Sequence, residues 1–270
     1  MIDREDYKQR GYALVRGLFA AEEVEAVRSA ACEVFRLQME HRGLVGAGPL
    51  DEAEFEAALY RFFAADLPGF ISCSYQVQHI LPFNRLSTDP RLVAVLQELG
   101  LGLPNFSTRP QMLFNSRQLA AHERYWRYPV HQDWRNMQGS LDSVVAWLPL
   151  IDVDPSIGAL ELLPGSHTLG LLKAEMTDGY PEVHGPYEDS DFVPCDMKRG
   201  DALIFSAFLI HRSGTNTTDR IRWSIQLRYN NLEEKTFAER GFPHGYIYKP
   251  VPEIITEGFP TPEQLREAFR

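Results

Sequence analysis

The sequence predicts one domain in which helices accompany a β-sandwich or β-barrel. The first hundred residues carry mostly helical patterns, whereas residues 105–229 hold short apolar runs separated by Gly and Pro turns. Many short strands at regular intervals are typical of sandwiches and barrels. No long Pro-, Gly- or Ser-rich linker divides the 270 residues, and a hydrophobic content of 44% is enough for one substantial core. We therefore expect a single domain over residues 1–270.

The amino-terminal helices are predicted from their first turns and their periodicity. A helix over residues 20–40 begins with Glu22 and Glu23, and acidic residues favour a helix amino terminus. Its apolar positions fall on or near one stripe, as expected for a helix that packs against a core. The members of that stripe are Val24, Val27, Ala31, Val34, Phe35 and Leu37. Further helices are expected over residues 51–65 and 89–99, with a short terminal helix from Pro262.

Short strands are predicted in the second half of the chain. They cover residues 105–114, 130–134, 143–150, 159–163, 201–206 and 221–229. The last strand alternates, so that Arg222, Ser224 and Gln226 share one side while Trp223 and Ile225 share the other. This pattern predicts a strand with one polar and one apolar face.

Charge and composition argue against several classes of partner and location. The formal net charge of −10 and the pI near 5.3 disfavour nucleic acid as a partner, because phosphate binding needs a basic face. The sequence has no apolar run long enough for a transmembrane helix, and the charged residues 3–6 argue against a signal peptide. Cys32, Cys73 and Cys195 are far apart, so we expect buried free thiols in a reducing cytoplasm.

Three side chains are candidates for a metal centre. His131 and Asp133 stand two residues apart, and on an extended strand such residues point to the same side. His211, on a distant strand, can then close one triangular face around the metal. Two neutral imidazoles and one carboxylate, with the remaining positions open, form the ligand set of non-haem Fe(II) oxygenases. The open positions admit a co-substrate and dioxygen.

The segment after His211 carries a stronger signal. A polar turn follows this histidine, and the alternating strand that follows the turn brings Arg222 eleven residues after His211. The planar fork of an arginine suits a two-point grip on a carboxylate. With these residues the sequence resembles the phytanoyl-CoA dioxygenase family of Fe(II)- and 2-oxoglutarate-dependent oxygenases. Further matching motifs lie at residues 11–19, 147–150, 158–167 and 198–205.

The resemblance implies a fold and a set of cofactors. The implied fold is mainly β with flanking helices: a double-stranded β-helix (jelly roll, cupin-like) with the helices packed on one sheet. Fe(II) would sit in its mouth, held by His131, Asp133 and His211. The co-substrates would be 2-oxoglutarate and O2. His167, in the Pro-Gly-Ser-His motif, would be a structural turn residue and not a ligand.

The resemblance also implies contacts to 2-oxoglutarate. Arg222 would hold its far carboxylate, and Ser213, two residues after the distal histidine, would be a second contact or a plain turn serine. Gln111 and Asn115 are four residues apart on one strand and so share a side. Their amides would donate to the oxalyl end or to the substrate, with a solvated strand face as the alternative. Trp147 would lie near the co-substrate, in the core, or both.

Two neighbouring arginines compete with Arg222 for this role. Arg220 alternates to the same side of the strand, and Arg228 lies further along it. The family offset alone selects Arg222.

The implied activity is hydroxylation of a small polar or anionic metabolite, with release of succinate and CO2. Arginines and aromatic residues in the loop 117–128, among them Arg124 and Arg127, predict a lid that contacts the substrate, or else a solvated loop. Desaturation, epimerisation and ring formation would use the same ligands. A halogenase is disfavoured because Asp133 occupies the position that chloride needs. A non-catalytic metal-binding jelly-roll protein is the alternative of another class.

Overall fold

The computed structural model describes residues 2–120, 127–177, 180–243 and Gln264. The α-helices of this part of the chain are α1 (Arg4–Arg10), α2 (Ala21–His41), α3 (Glu52–Ala65), α4 (Leu67–Gln76), α5 (Leu81–Ser87), α6 (Pro90–Glu98), α7 (Trp134–Met137) and α8 (Lys235–Glu239). Single turns of 3-10 helix lie at Val77–His79, Arg117–Leu119, Ser166–Leu169 and Asp189–Asp191.

The three predicted amino-terminal helices are confirmed as α2, α3 and α6, each within one residue at either end. Asp51 caps α3: its carboxylate accepts from the Glu54 N–H at 2.8 Å, and the Glu54 carboxylate accepts from the Asp51 N–H at 3.0 Å. The helices α1, α4 and α5 were not predicted. The helices α1 and α5 have seven residues each, so periodicity gives little signal for them.

The strands form antiparallel sheets. They are β1 (Tyr12–Val15), β2 (Pro104–Phe106), β3 (Gln111–Asn115), β4 (Val144–Pro149), β5 (Leu160–Leu162), β6 (Ala174–Thr177), β7 (Tyr180–Val183), β8 (Val193–Pro194), β9 (Ala202–Ser206), β10 (His211–Ser213) and β11 (Arg222–Asn231). The larger sheet has the order β1-β9-β4-β11-β2, and β3 also pairs with β11. A smaller sheet has the order β10-β5-β8, and β6 and β7 form a separate hairpin.

The strand β11 separates the helical layer from the interior of the fold. All ten of its residues are buried, so both faces of the strand are covered. On the outer face, Trp223 packs edge-on against Phe114 of β3, with ring centroids 4.6 Å apart. Phe35 of α2 lies 5.5 Å from Phe114 and 6.3 Å from Trp223. The helix α2 therefore packs on this face of the larger sheet.

The chain departs from the predicted strands at two places. Residues 130–134 do not form a strand, because only His131 makes a β-bridge and the helix α7 begins at Trp134. The Trp134 N–H donates to the Ala207 carbonyl at 2.9 Å, which turns the chain away from strand pairing. Residues 105–114 divide into β2 and β3, and the Ser107 N–H between them donates to the Arg228 carbonyl at 2.8 Å.

The fold is a mixture of helices and antiparallel sheets, with more residues in the described helices than in the described strands. Within the described residues, no helix has the length and apolar character needed to cross a membrane. The three cysteines are free thiols; Cys73 and Cys195 are buried, whereas Cys32 is only partly so. The predicted terminal helix from Pro262 lies outside the described residues, apart from Gln264.

Replacing Phe35 by Ala should lower the free energy of unfolding by about 3–5 kcal/mol, because it leaves a cavity among the rings of Phe70, Phe114 and Trp223. Denaturant unfolding of the two proteins measures this difference. Leu37→Ala on the same helix is the control. Leu37 is 52% exposed, so its loss should change stability by less than about 0.5 kcal/mol. Equal effects of the two substitutions would contradict this packing.

Candidate active site

A cavity of about 620 Å³ opens between the two larger sheets. The strands β3, β4 and β11 line one side of it, and β5 and β10 line the other. Its described lining residues are Thr108, Gln111, Leu113, Tyr128, Pro129, His131, Asp133, Arg135, Asn136, Trp147, Leu160, Met176, Pro181, His211, Ser213, Arg222, Gln226 and Arg228. All three predicted metal ligands and four of the five predicted co-substrate contacts are among them.

The two histidines face each other across an antiparallel bridge. The His131 N–H donates to the His211 carbonyl at 2.9 Å, and the His211 N–H donates to the His131 carbonyl at 3.1 Å. Residues paired in this way carry their side chains on the same side, and the two ring centroids are 4.1 Å apart. The bridge therefore brings the two histidine side chains together.

Backbone carbonyls select the ring tautomer of both histidines. Nδ1 of His131 lies 2.7 Å from the Pro129 carbonyl, and Nδ1 of His211 lies 3.0 Å from the Leu209 carbonyl. A carbonyl can only accept, so each Nδ1 carries the proton and each Nε2 is left with a lone pair. Burial lowers the pKa of His211 to about 3, which keeps this ring neutral. Both rings are thus prepared as metal ligands.

Asp133 completes the triangle from the first turn that follows the bridge. Its Oδ1 lies 4.0 Å from Nε2 of His131, and its Oδ2 lies 3.7 Å from Nε2 of His211. All three ligand atoms lie within 4.8 Å of one another, and these residues could hold a metal ion. Two imidazoles and one carboxylate on one face fit Fe(II) with open coordination positions.

The carboxylate of Asp133 is held by two side chains of β11. Arg228 donates to Oδ1 through Nη2 at 2.8 Å and Nε at 3.3 Å, and Gln226 donates to Oδ2 through Nε2 at 2.9 Å. Burial alone would raise the pKa of Asp133, but Arg228, His211 and His131 outweigh it and lower the pKa to about 2. The carboxylate is therefore ionised at neutral pH.

Gln132, between the two ligands, fixes the bend of the chain. Its amide nitrogen donates to the carbonyls of Gly170 and Phe208 at 2.8 and 2.7 Å, and its oxygen accepts from the Leu172 N–H at 2.9 Å. A buried amide with three partners holds His131 and Asp133 at a constant separation. Alternation assigned Gln132 to the side away from the ligands, but no sequence signal indicated these partners.

Arg222 extends its guanidinium into the same cavity. It is 1% exposed, and burial lowers its pKa to about 10, so it remains charged at neutral pH. Nη1 donates to the Gly158 carbonyl, Nη2 lies 3.5 Å from Ser213 Oγ, and Nε has no hydrogen-bond partner. Within the described residues, no carboxylate pairs with this cation. A buried arginine of this kind is built to receive an anion.

A glycine is needed beside Arg222. Gly158 has φ +78°, and a Cβ at this position would come within 2.8 Å of the Gly214 carbonyl oxygen. Only glycine combines this backbone conformation with so close an approach. The turn presents the Gly158 carbonyl to the Arg222 guanidinium.

The three arginines that are candidates for the contact to the far carboxylate of 2-oxoglutarate have different partners in the structure. Arg220 lies on the surface and pairs with Glu52 at 2.7 Å. Arg228 uses its donors on Asp133 and on Gln111 Oε1, the latter at 2.6 Å. Arg222 alone of these three faces the cavity without an acidic partner in the described chain.

The other predicted contacts divide into two groups. Gln111, Gln226 and Trp147 form one row across β3, β11 and β4, and all three line the cavity. The guanidinium carbon of Arg222 lies 5.7 Å from the Trp147 ring. Asn115 stands opposite Arg222 and is buried, but it is not one of the described lining residues.

Only part of the predicted lid is described. Residues 121–126, with Arg124, lie outside the described residues, whereas Tyr128 lines the cavity. Arg135 also lines the cavity, donates to the Leu172 carbonyl, and has no carboxylate partner in the described chain. His167 is part of a 3-10 turn, where Nε2 lies 3.1 Å from the Lys8 carbonyl, consistent with a structural role.

The chain is a 2-oxoglutarate-dependent non-haem iron dioxygenase. The family model described as phytanoyl-CoA dioxygenase matches residues 7–224. Since this match covers most of the sequence, the chain belongs to the phytanoyl-CoA dioxygenase family.

Individual relatives and structures agree with this assignment. The peroxisomal phytanoyl-CoA dioxygenase of Rattus norvegicus is 25% identical over 275 residues, covering 95% of this chain and 75% of the relative. The 1-deoxypentalenic acid 11-beta-hydroxylase of Streptomyces exfoliatus is 27% identical over 252 residues, covering 87% of this chain and 81% of the relative. The α-ketoglutarate-dependent epimerase SnoN from nogalamycin biosynthesis superposes with a TM-score of 0.53 at 21% identity, covering 84% and 81%. This last likeness concerns the fold.

Asp133→Ala should abolish turnover and weaken metal binding, because two imidazoles alone hold a labile divalent ion poorly. Titration with Fe(II) in the absence of oxygen and an assay for succinate at saturating iron measure the two effects. Asp152→Ala is a matched control, since this exposed carboxylate pairs with Lys198 on the surface. Full turnover in Asp133→Ala would refute the ligand assignment.

Proposed function

We propose that the chain hydroxylates a small polar or anionic metabolite, with 2-oxoglutarate converted to succinate and CO2. The observation that carries this proposal is the buried guanidinium of Arg222, which shares a cavity with His131, Asp133 and His211. Its distal position suits a co-substrate that is anchored at both ends. The single domain, the double-stranded β-helix and the cytoplasmic location belong to the same proposal.

The ligand set and the lone buried cation fit iron(II) and 2-oxoglutarate. His131, Asp133 and His211 would hold the metal, and Arg222 with Ser213 would hold the far carboxylate of the co-substrate. When bound, this pair supplies the activation of dioxygen that hydroxylation requires. Arg222 and Ser213 orient the co-substrate, and the apolar walls at Leu160 and Trp147 keep water from it.

The polarity of the Gln111 amide follows from its partner. Arg228 can only donate, so its 2.6 Å contact requires the Gln111 oxygen to face it. The NH2 group of Gln111 then faces the cavity, and no described residue accepts a hydrogen bond from it. Gln111 is therefore proposed as a donor to the co-substrate or to an acceptor group on the primary substrate.

Arg135 supports an anionic primary substrate. It is a second cation on the cavity wall that has no acidic partner in the described chain, and Asn136 beside it offers an amide. Since Arg222 serves the co-substrate, Arg135 is left for the substrate. Desaturation, epimerisation and ring formation remain the alternative outcomes, because they need the same ligands.

The deciding experiment is a screen of small metabolites for substrate-dependent succinate formation in the presence of Fe(II), 2-oxoglutarate and oxygen. The product of each active compound is then identified by mass spectrometry. A gain of one oxygen atom supports hydroxylation, whereas a loss of two hydrogen atoms or an unchanged mass identifies the alternative reactions. If no compound raises succinate formation above the background, the result contradicts an enzymatic role.

Arg222→Ala should reduce the affinity for 2-oxoglutarate about a hundredfold or more, while metal binding survives. Loss of one partner from a buried charge-assisted pair costs roughly 3–5 kcal/mol. The dependence of succinate formation on 2-oxoglutarate concentration measures the change. Arg220→Ala is the matched control, since Arg220 lies two residues before β11 and pairs with Glu52 on the surface. A defect in Arg220→Ala without one in Arg222→Ala would reverse the assignment.

Arg135→Gln should raise the KM for an anionic substrate roughly 10- to 150-fold, since a hydrogen bond to a charged group contributes about 1.5–3 kcal/mol. Substrate-independent decarboxylation of 2-oxoglutarate should persist, because it needs only the metal and Arg222. Steady-state kinetics with a carboxylate substrate and its amide analogue separate the two effects. If the wild-type protein has the same KM for the carboxylate compound and for its amide analogue, the result argues against an anionic substrate.

A further inference from the structure

The carboxylate of Asp133, a proposed metal ligand, accepts three side-chain hydrogen bonds. Asp133 is fully buried, and both of its oxygens accept hydrogen bonds from the strand β11. An ionised carboxylate has about four lone-pair sites, and these three donors use two on Oδ1 and one on Oδ2, so one site on Oδ2 is left for another partner. The carboxylate plane is thereby fixed before any metal binds.

We propose that Arg228 is a positioning residue that presents the carboxylate of Asp133 to the metal in one orientation, assisted by Gln226. This inference rests on the proposed function, since it assigns Asp133 as a ligand. Arg228 approaches Oδ1 with two donors, Nη2 at 2.8 Å and Nε at 3.3 Å, and Gln226 donates to Oδ2 at 2.9 Å. Because the two side chains hold different oxygens, together they fix the carboxylate in rotation as well as in distance.

A direct role of Arg228 in binding a substrate or co-substrate is disfavoured by its contacts. Three of its five N–H donors are used, those of Nε and Nη2 on Asp133 and one of Nη1 on Gln111. Its side chain is only 11% exposed, and these contacts hold it against Asp133. The guanidinium therefore acts through Asp133 and Gln111 and does not grip a ligand itself.

Two physical effects of Arg228 on metal affinity have opposite signs. Its positive charge repels a cation bound at Asp133 and draws electron density from the carboxylate. Its hydrogen bonds hold the carboxylate in the coordinating geometry, so that binding costs less conformational entropy. Partners of this kind typically change metal affinity 10- to 100-fold when they are removed. We infer that the orienting effect is the larger one.

The test measures metal affinity directly, with Co(II) as an anaerobic probe for the full-length protein. Arg228→Met removes the charge and the fork but keeps much of the buried volume, and should weaken Co(II) binding about 10- to 100-fold. Arg228→Lys keeps the charge without the fork and should show an intermediate loss. Arg220→Met is the control and should bind Co(II) as the wild-type protein does.

Each outcome decides between the roles. Weaker Co(II) binding in Arg228→Met, with partial recovery in Arg228→Lys and an altered Co(II) absorption spectrum, supports positioning. Unchanged or tighter Co(II) binding by the folded variants overturns it, and so does a loss confined to 2-oxoglutarate or substrate affinity. If Arg228→Met does not fold, Arg228→Lys decides by the same measure. A wild-type protein that binds no Co(II) instead overturns the proposed function.

Discussion

The alternation of a strand that is buried on both faces is the constraint on which the rest of this structure depends. Trp223 of β11 points outward and packs against Phe114 and the helix α2. Arg222 and Arg228 point inward, where the first faces the cavity and the second holds Asp133. Because successive side chains take opposite faces, a slip of one residue would exchange the aromatic core for the charged residues. Core packing therefore fixes the register of the active site.

The two buried arginines of β11 carry different electrostatic costs. Arg228 is neutralised by Asp133 within the protein, so its charge is compensated in the folded chain. Arg222 has a carbonyl and a hydroxyl as its partners, and within the described chain no carboxylate offsets its burial. An unpaired buried charge destabilises a fold. In the free protein the buried charge of Arg222 therefore lowers stability. An anionic ligand would remove this free-energy cost, and the gain contributes to the affinity for that ligand.

Much of the site followed from sequence because its residues are local or periodic. The spacing of His131 and Asp133, the offset of Arg222 and the parity of β11 are all visible in the chain itself. The support of Asp133 by Arg228 was not predictable, because it depends on where the chain turns after His131. That turn is set by contacts of Trp134 with Ala207 and of Gln132 with Gly170, which are distant in sequence. The same turn explains why residues 130–134 failed as a predicted strand.

The residues proposed to hold the metal and the co-substrate do not by themselves determine the reaction outcome. Hydroxylation, desaturation and epimerisation can share one ligand set, and they differ in which substrate atom is brought to the open coordination position. The proposed metal ligands and co-substrate contacts on β10, β11 and the segment bridged to β10 line one part of the cavity, whereas Met176 and Pro181 reach the cavity from the hairpin β6–β7. The Val183 N–H of that hairpin donates to the Val130 carbonyl at 2.8 Å, one residue before His131. This hydrogen bond joins the hairpin that lines the cavity to the segment that carries His131 and Asp133, two of the proposed metal ligands.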